Sequence, residues 1–234
     1  MTTNTKVLLK HRPNGDPAET DFEIIIDDVP VIEDGQILTR TIYLSLDPYM
    51  RGRMSDARSY AEPTQVGDVM TGGTVSVVEA SKNDKFEEGD IVVTHTGWQV
   101  YAISDGKGVR KLHPNGIPIS TGIGVLGMPG MTAYTGLKNI GKPKEGETLV
   151  VAAASGPVGS AVGQIAQING SRAIGVAGSD EKCAYAVNEL GFDACLNHKA
   201  KNFEDQLAAA CPDGIDIYWE NVAGRVLEAV IPQL

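Results

Sequence analysis

The residues best suited to chemistry lie in the segment Leu149–Gly163, which reads LVVAAASGPVGSAVG. An apolar run of strand length leads into the spacing Ala153-x-x-Gly156-x-x-Gly159, and apolar residues at helical spacing follow it. Strand, glycine turn and helix in this order are typical of a dinucleotide-binding fingerprint. Such a turn binds a pyrophosphate through backbone N–H groups at the helix N-terminus. Gly156 permits the tight turn and Gly159 lets the helix pack close to the strand. The segment therefore predicts a dinucleotide site.

The end of the next predicted strand indicates which nicotinamide cofactor binds. An NAD site usually has Asp or Glu there, to hold the ribose hydroxyl groups. Here the strand ends in Ala177-Gly178, followed by Ser179, Asp180 and Lys182. Gly178 does not repel a 2′-phosphate, Ser179 can donate a hydrogen bond, and Lys182 can supply a positive charge. The pattern favours NADP, and Asp180 as a ribose ligand is the alternative.

Strands and helices alternate after residue 126, which predicts crossover units and a parallel sheet. After the fingerprint strand, the sequence predicts three more strands, at Arg172–Ala177, Ala194–Asn197 and Ile215–Trp219, and a last helix at Arg225–Ile231. A doubly wound dinucleotide domain normally has six strands. Four strands therefore predict a Rossmann domain that is truncated at its C-terminal end.

The first 125 residues have a different sequence pattern from the rest of the chain, because short extended runs alternate with turn residues. This predicts an α/β chain with two domains: a β-rich substrate and catalytic domain over 1–125, and an NADP-binding domain over 126–234. A helix at Gly130–Asn139 is expected to join them. The runs predicted as strands are Lys6–Leu9, Phe22–Ile26, Gln36–Leu46, Gly73–Glu79, Ile91–Thr94 and Trp98–Ile103.

The composition argues against several partners. The net charge is −10 with no long basic run, so nucleic acid and anionic membranes are not expected to bind. The uncharged stretch 148–171 is interrupted by glycine, proline and glutamine, which disfavours a membrane span. The N-terminal residues lack the apolar core of a secretion signal. Three widely spaced cysteines are typical of a reducing compartment, so we expect a cytoplasmic protein.

The sequence also argues against catalytic zinc. Zinc sites need three or four Cys, His or carboxylate ligands, often at close spacing. The four histidines, His11, His95, His113 and His198, are far apart, and no Cys-x-x-Cys occurs.

Three motifs together carry a family resemblance. Leu44–Arg51 reads LSLDPYMR, Leu126–Tyr134 reads LGMPGMTAY, and Glu220–Gly224 reads ENVAG. They resemble the signatures of the zinc-independent medium-chain dehydrogenase/reductase superfamily, in its group of prostaglandin reductases and alkenal double-bond reductases. The third motif departs from the family's DNVGG by a glutamate and an alanine. The resemblance implies a GroES-like β domain followed by a Rossmann domain, and a homodimer when the protein is full length.

The resemblance also implies a reaction, namely NADPH-dependent reduction of the carbon–carbon double bond of an α,β-unsaturated ketone or aldehyde. The cofactor supplies the hydride, while the protein orients the reactants and stabilises charge on the carbonyl oxygen. Two alternatives remain. One is a quinone reductase of the same superfamily; the other is a non-catalytic NADPH-binding protein or an inactive fragment.

The resemblance assigns roles to individual residues. It implies that Tyr49 lines the substrate pocket, where a phenol can hydrogen-bond a carbonyl oxygen; a packed tyrosine at a strand end is the alternative. Lys182 would contact the 2′-phosphate, and Asn221 would lie near the ribose and nicotinamide. The implied pyrophosphate loop consists of Gly156, Pro157, Val158 and Gly159.

Two further assignments have equal alternatives. Thr132 is either a contact of the nicotinamide carboxamide or an ordinary helix residue. His198 stands where related reductases have a tyrosine beside the adenosine phosphate. It could hydrogen-bond that phosphate or, when protonated, pair with it, or it is a surface histidine.

Overall fold

The computed structural model describes residues 2–113 and 115–234. The chain divides into two compact units, of which the first ends at Ile123 and the second comprises Gly124–Leu234. Among the described residues, no helix has both the length and the apolar character needed to cross a membrane.

The first unit is built from antiparallel strands. A hairpin pairs β1 (Thr3–Leu9) with β2 (Phe22–Asp28). The other elements are β3 (Ile37–Leu44), α1 (Tyr49–Arg53), β4 (Thr74–Ser81), β5 (Ile91–Thr94), β6 (Tyr101–Ser104) and β7 (Arg110–Lys111), with short 3₁₀ turns at Glu19–Asp21 and Ile119–Ile123. The five later strands form one sheet in the order β6-β3-β4-β5-β7.

Most of the predicted strands of the first unit are present with shifted ends. The strand Ile91–Thr94 is confirmed to the residue. The strand predicted at Trp98–Ile103 begins only at Tyr101, because Gly97 turns the chain with a φ of 78° and the Trp98 N–H bonds to Met70 instead. The sequence did not predict α1 or β7, which are too short to show a periodic pattern.

Apolar packing fixes the short helix α1. Met50 and Met54, on and just after this helix, are buried against Leu9 and Met70. Trp98 borders the same cluster and stacks on Phe22, with ring centroids 5.5 Å apart. Because its methionines are anchored in this core, α1 holds Tyr49 at a defined place.

The second unit is a four-stranded parallel sheet with helices. Its elements are α2 (Met128–Gly136), β8 (Thr148–Ala152), α3 (Pro157–Ile168), β9 (Arg172–Ala177), α4 (Asp180–Asn188), β10 (Ala194–Asn197), α5 (Phe203–Ala210), β11 (Ile217–Trp219) and α6 (Arg225–Val230), with a π turn at Leu137–Gly141 and a 3₁₀ turn at Ile231–Gln233. The strand order is β10-β9-β8-β11, the Rossmann arrangement that the sequence predicts.

Helices on both faces explain why β8 is buried along its whole length. Alternate residues of a strand point to opposite faces. Leu149 and Val151 pack in the cluster that contains Val162 of α3. Val150 and Ala152 pack in the cluster that contains Phe203 of α5.

The predicted strands Arg172–Ala177 and Ala194–Asn197 are confirmed to the residue. The last strand is shorter than the predicted Ile215–Trp219, because the Ile215 N–H bonds to the Gln233 carbonyl rather than to the sheet. The helix predicted at Gly130–Asn139 begins two residues earlier and ends in the π turn.

Candidate functional site

The glycine turn lies at the carboxyl end of β8. Gly156 is the N-cap of α3 in an extended conformation, and no side chain caps this helix. Pro157 is the first helical residue, where the absence of an N–H costs nothing. The N–H groups of Val158 and Gly159 follow in the first turn, where a helix offers them no acceptor of its own. These groups and the helix dipole suit an anion such as a pyrophosphate.

Gly159 brings α3 close to the turn that precedes it. A Cβ at this position would lie 2.9 Å from the carbonyl carbon of Ala153 and 3.0 Å from the Cα of Ala154. Both neighbours are backbone atoms that cannot rotate away. Ala153 itself has a φ of 53°, in the left-handed region that disfavours residues with a Cβ. The turn is therefore strained, as turns at functional sites often are.

The end of β9 places the residues that would select the cofactor. Ser179 is the N-cap of α4, and its Oγ accepts a hydrogen bond from the Lys182 N–H at 3.3 Å. The serine hydroxyl can still donate a bond to a ligand. Asp180 accepts a hydrogen bond at 2.8 Å from the Asn197 side chain, so one oxygen of this carboxylate already has a partner within the protein.

His198 follows β10 and lies beside the end of β9. Its Nε2 is 3.3 Å from the position that a Cβ at Gly178 would occupy, and the Cε of Lys199 is 3.9 Å from the same point. The absence of a side chain at Gly178 thus leaves room beside the imidazole. A larger residue at 178 would close this space.

Asn221 joins the carboxyl ends of two neighbouring strands. Its Nδ2 donates to the carbonyl of Ala152, the last residue of β8, at 2.9 Å. Its Oδ1 accepts from the indole N–H of Trp219, the last residue of β11, at 3.2 Å. Strand order reverses between β8 and β11, and ligands of open parallel sheets bind at such a point.

Arg225 is a site residue that the sequence did not reveal. Its guanidinium makes a two-pronged ion pair with Glu204, with both hydrogen bonds at 2.8 Å, and donates a third bond to the His198 carbonyl at 2.9 Å. This arginine side chain lowers the pKa of the Glu204 carboxyl to about 2. The only sequence signal was the position of Arg225 directly after the Gly224 turn, which also suits an ordinary helix start.

These parts enclose a cleft of about 540 Å³. It is lined by Ala153, Ser155, Gly156, Val176, Ala177, Gly178, Lys182, His198, Val222, Ala223, Arg225 and Val226. Two of the lining side chains are permanently cationic, one is a histidine, and none is a carboxylate. A cleft of this character in a chain of net charge −10 is suited to an anionic ligand.

The cleft brings together only some of the predicted cofactor residues. Gly156, Lys182 and His198 line it directly. The other predicted cofactor residues are not among the lining residues: Pro157, Val158, Gly159, Ser179, Asn221 and Thr132. The Thr132 hydroxyl donates to the Met128 carbonyl one helical turn earlier, at 2.8 Å. That bond is the ordinary role of a threonine within a helix.

Tyr49 is the predicted substrate residue and belongs to the first unit. Burial raises the pKa of its hydroxyl, and the charge of Asp47 acts in the same direction. The guanidinium of Arg53 lies over the Tyr49 ring at 5.7 Å and over the Tyr60 ring at 5.2 Å. The phenol therefore stays protonated at neutral pH and can donate a hydrogen bond.

Nowhere among the residues that the structure describes do three or more histidine, cysteine, aspartate or glutamate side chains come together in a way that could hold a metal ion.

Comparison with known families matches both units. Residues 5–112 match the family described as the N-terminal domain of oxidoreductase. Residues 157–234 match the family described as zinc-binding dehydrogenase.

Individual relatives match almost the whole chain. It is 55% identical over 231 residues to the NADPH-dependent curcumin reductase of Escherichia coli, covering 99% of this chain and 67% of that protein. It is 44% identical to prostaglandin reductase 1 of Rattus norvegicus, covering 97% of this chain and 68% of that protein. The crystal structure of CurA in complex with NADPH from Vibrio vulnificus matches with a TM-score of 0.94 and 55% identity, over 98% of this chain and 68% of that one.

The chain therefore belongs to the medium-chain dehydrogenase/reductase superfamily, in the group that contains the prostaglandin and curcumin reductases. The resemblance carried by the three sequence motifs is confirmed. The chain spans about two thirds of the length of these relatives.

Proposed function

We propose that this protein is an NADPH-dependent reductase of the carbon–carbon double bond in α,β-unsaturated ketones and aldehydes, including curcumin-like and alkenal substrates. The observation that carries the proposal is the cleft at the Gly156 turn, with its basic lining, in a chain 55% identical to a reductase named for NADPH and curcumin. The fold alone would not suffice, because one fold can host many reactions.

The residues present fit a dinucleotide. A Cβ at Gly156 would lie 3.1 Å from the Ala153 carbonyl oxygen, and one at Gly159 would overlap the backbone of Ala153 and Ala154, so this tight turn depends on glycine at both positions. We assign the pyrophosphate to the first turn of α3, from Gly156 through Pro157 and Val158 to Gly159. Asn221, fixed between two strand ends, lies near the ribose and nicotinamide in this proposal. We also propose that Thr132 contacts the nicotinamide carboxamide, because its hydroxyl oxygen can still accept a hydrogen bond.

A 2′-phosphate is favoured over a free ribose hydroxyl. Lys182 and His198 line the cleft, Ser179 can donate its hydroxyl proton, and Gly178 contributes no charge. Asp180, the candidate ribose ligand for NAD, already accepts a hydrogen bond from the Asn197 side chain. We therefore assign NADPH rather than NADH as the cofactor.

In this proposal, Tyr49 is the residue of the protein that acts directly on the substrate. NADPH, when bound, supplies the hydride equivalent that reduces the double bond. The protonated phenol of Tyr49 donates a hydrogen bond to the carbonyl oxygen of the substrate. That bond stabilises the negative charge that develops on the oxygen as the conjugated bond is reduced. Conjugation already spreads this charge, so we propose that the reaction proceeds without a metal.

The remaining assignments follow from composition and family. We propose a cytoplasmic protein that is a homodimer when full length and that has small-molecule partners rather than nucleic acid or membranes. The acidic net charge supports the exclusion of nucleic acid.

The test is NADPH oxidation measured with curcumin, a medium-chain 2-alkenal, a quinone and a saturated aldehyde, with NADH as the cofactor control. We expect the two enones to be reduced with NADPH alone. Consumption of only the quinone would replace the proposal with a quinone reductase. Binding of NADPH without turnover of any substrate would leave a non-catalytic binding protein.

A further inference from the structure

The backbone of His198 is held from two sides. Its N–H donates to the Ala177 carbonyl at the end of β9, at 3.1 Å, and its carbonyl accepts from Arg225 at 2.9 Å. The imidazole, in contrast, makes no hydrogen bond to any residue that the structure describes. The ring is half-buried, lines the cleft and has its Nε2 beside Gly178. Both ring nitrogens are thus available to a ligand, on a residue whose backbone is held in place.

The charges that face this ring are mostly positive. Lys182 comes from α4, Lys199 from the histidine's own loop and Arg225 from the start of α6. Asp180 accepts from Asn197, and Glu204 pairs with Arg225 and offsets its charge, so the positive charge near the ring comes mainly from Lys182 and Lys199. A phosphate placed in this part of the cleft would accept a hydrogen bond from the neutral imidazole and form an ion pair with the protonated one.

We propose that His198 makes the preference of this site for NADPH over NADH depend on pH. Protonated His198 pairs with the 2′-phosphate, whereas the neutral ring offers at most one hydrogen bond. Histidine is the side chain whose charge changes between about pH 5 and 8. The part of this preference that His198 supplies is therefore largest in acid and smallest in alkali, while the charge of Lys182 supplies a constant part. This inference rests on the proposed cofactor assignment.

The experiment measures dissociation constants for 2′,5′-ADP and for 5′-AMP from about pH 5.5 to 8.5. The ratio of the two constants isolates the 2′-phosphate. A phosphate monoester gains its second charge near pH 6, which strengthens binding as the pH rises and so opposes the histidine effect. Comparison of the native chain with His198→Gln removes that contribution, because it is common to both. As the pH rises across this range, we expect the native chain to lose about tenfold more of its preference for 2′,5′-ADP than His198→Gln loses. This factor is the one expected for a single charge-assisted hydrogen bond.

Three further variants sharpen the result. His198→Tyr should bind 2′,5′-ADP without the histidine component of the pH dependence. Lys182→Met should weaken the binding of 2′,5′-ADP at every pH and leave the pH dependence of the preference unchanged. His11→Gln, a histidine of the first unit, should behave as the native chain.

If the preference for 2′,5′-ADP over 5′-AMP changed with pH in His198→Gln as it does in the native chain, the inference would be overturned. Equal binding of the two nucleotides by the native chain at every pH would instead overturn the NADPH assignment, and with it the role of His198. The two failures are therefore distinguishable.

Discussion

At the scale of single residues, the site depends on the absence of side-chain atoms as much as on reactive groups. Gly159 has backbone at 2.9 and 3.0 Å from where a Cβ would stand. We expect Gly159→Ala to move α3 away from the turn, to cost about 1–3 kcal/mol of unfolding free energy through overpacking, and to weaken NADPH binding. Calorimetry of unfolding and cofactor titration measure the two effects.

The matched control for Gly159→Ala is Gly52→Ala in α1, where a Cβ meets nothing within 4 Å. Equal effects of both substitutions would contradict the steric argument.

Tyr49 carries the second prediction at this scale. Burial raises the pKa of the Tyr49 hydroxyl further above neutrality, and the proposed role is one hydrogen bond to the substrate oxygen. Tyr49→Phe keeps the ring and removes the donor. We expect kcat for enone reduction to fall about a hundredfold, as for loss of one oxyanion donor, with the dissociation constant for NADPH unchanged.

Tyr43→Phe is the control for Tyr49, because Tyr43 is an exposed tyrosine on β3 of the same unit. Unchanged kcat in Tyr49→Phe would leave Tyr49 as a packing residue, the alternative that its sequence position allowed.

At the scale of elements, one ion pair links α5 to α6. Glu204 lies in the first turn of α5, and Arg225 begins α6. The pKa of Glu204 is about 2 in the folded chain against an ordinary value of 4.5. A lowered carboxyl pKa stabilises the fold above the unfolded-state value, and this contribution is lost as the pH falls from 4.5 towards 2.

We therefore expect Glu204→Gln to lower the unfolding free energy at neutral pH and to match the native chain near pH 2. Both partners are well exposed, so added salt should shrink the difference. Denaturant titrations across acidic pH measure it. Glu228→Gln is the control, because this α6 carboxylate is exposed and forms no ion pair with any residue that the structure describes. A constant difference between Glu204→Gln and the native chain at all pH values would contradict the account.

The individual strands and helices differ in how well the sequence predicts them. β9 and β10 could be predicted to the residue, because each is a short, mainly apolar run bounded by turn residues between two helices. The helix α1 could not, since five residues show no period and its position depends on Met50 and Met54 packing against distant strands. Arg225 was missed for a related reason: its partner Glu204 is 21 residues away, and only the folded chain brings them together.

At the scale of the whole molecule, the two units have separate cores. The described clusters around Met50 and Ile37 belong to the first unit, and those around Leu149 and Val150 belong to the second. All the residues that we assign to the adenosine half of NADPH are in the second unit. In our proposal, every contact of the 2′-phosphate therefore comes from the unit Gly124–Leu234.

This division predicts where a ligand protects the backbone from hydrogen exchange. We expect 2′,5′-ADP to slow exchange in the first turn of α3, at Gly178–Lys182 and around His198, because ligand binding stabilises the local structure that it contacts. The strands β3, β4 and β5 should exchange at their ligand-free rates. The same experiment with Lys182→Met, at equal nucleotide concentration, should lose most of this protection. Protection that appears first in the strands of the first unit would mean that the adenosine phosphates bind elsewhere, since the contacts that we assign to them all come from one unit.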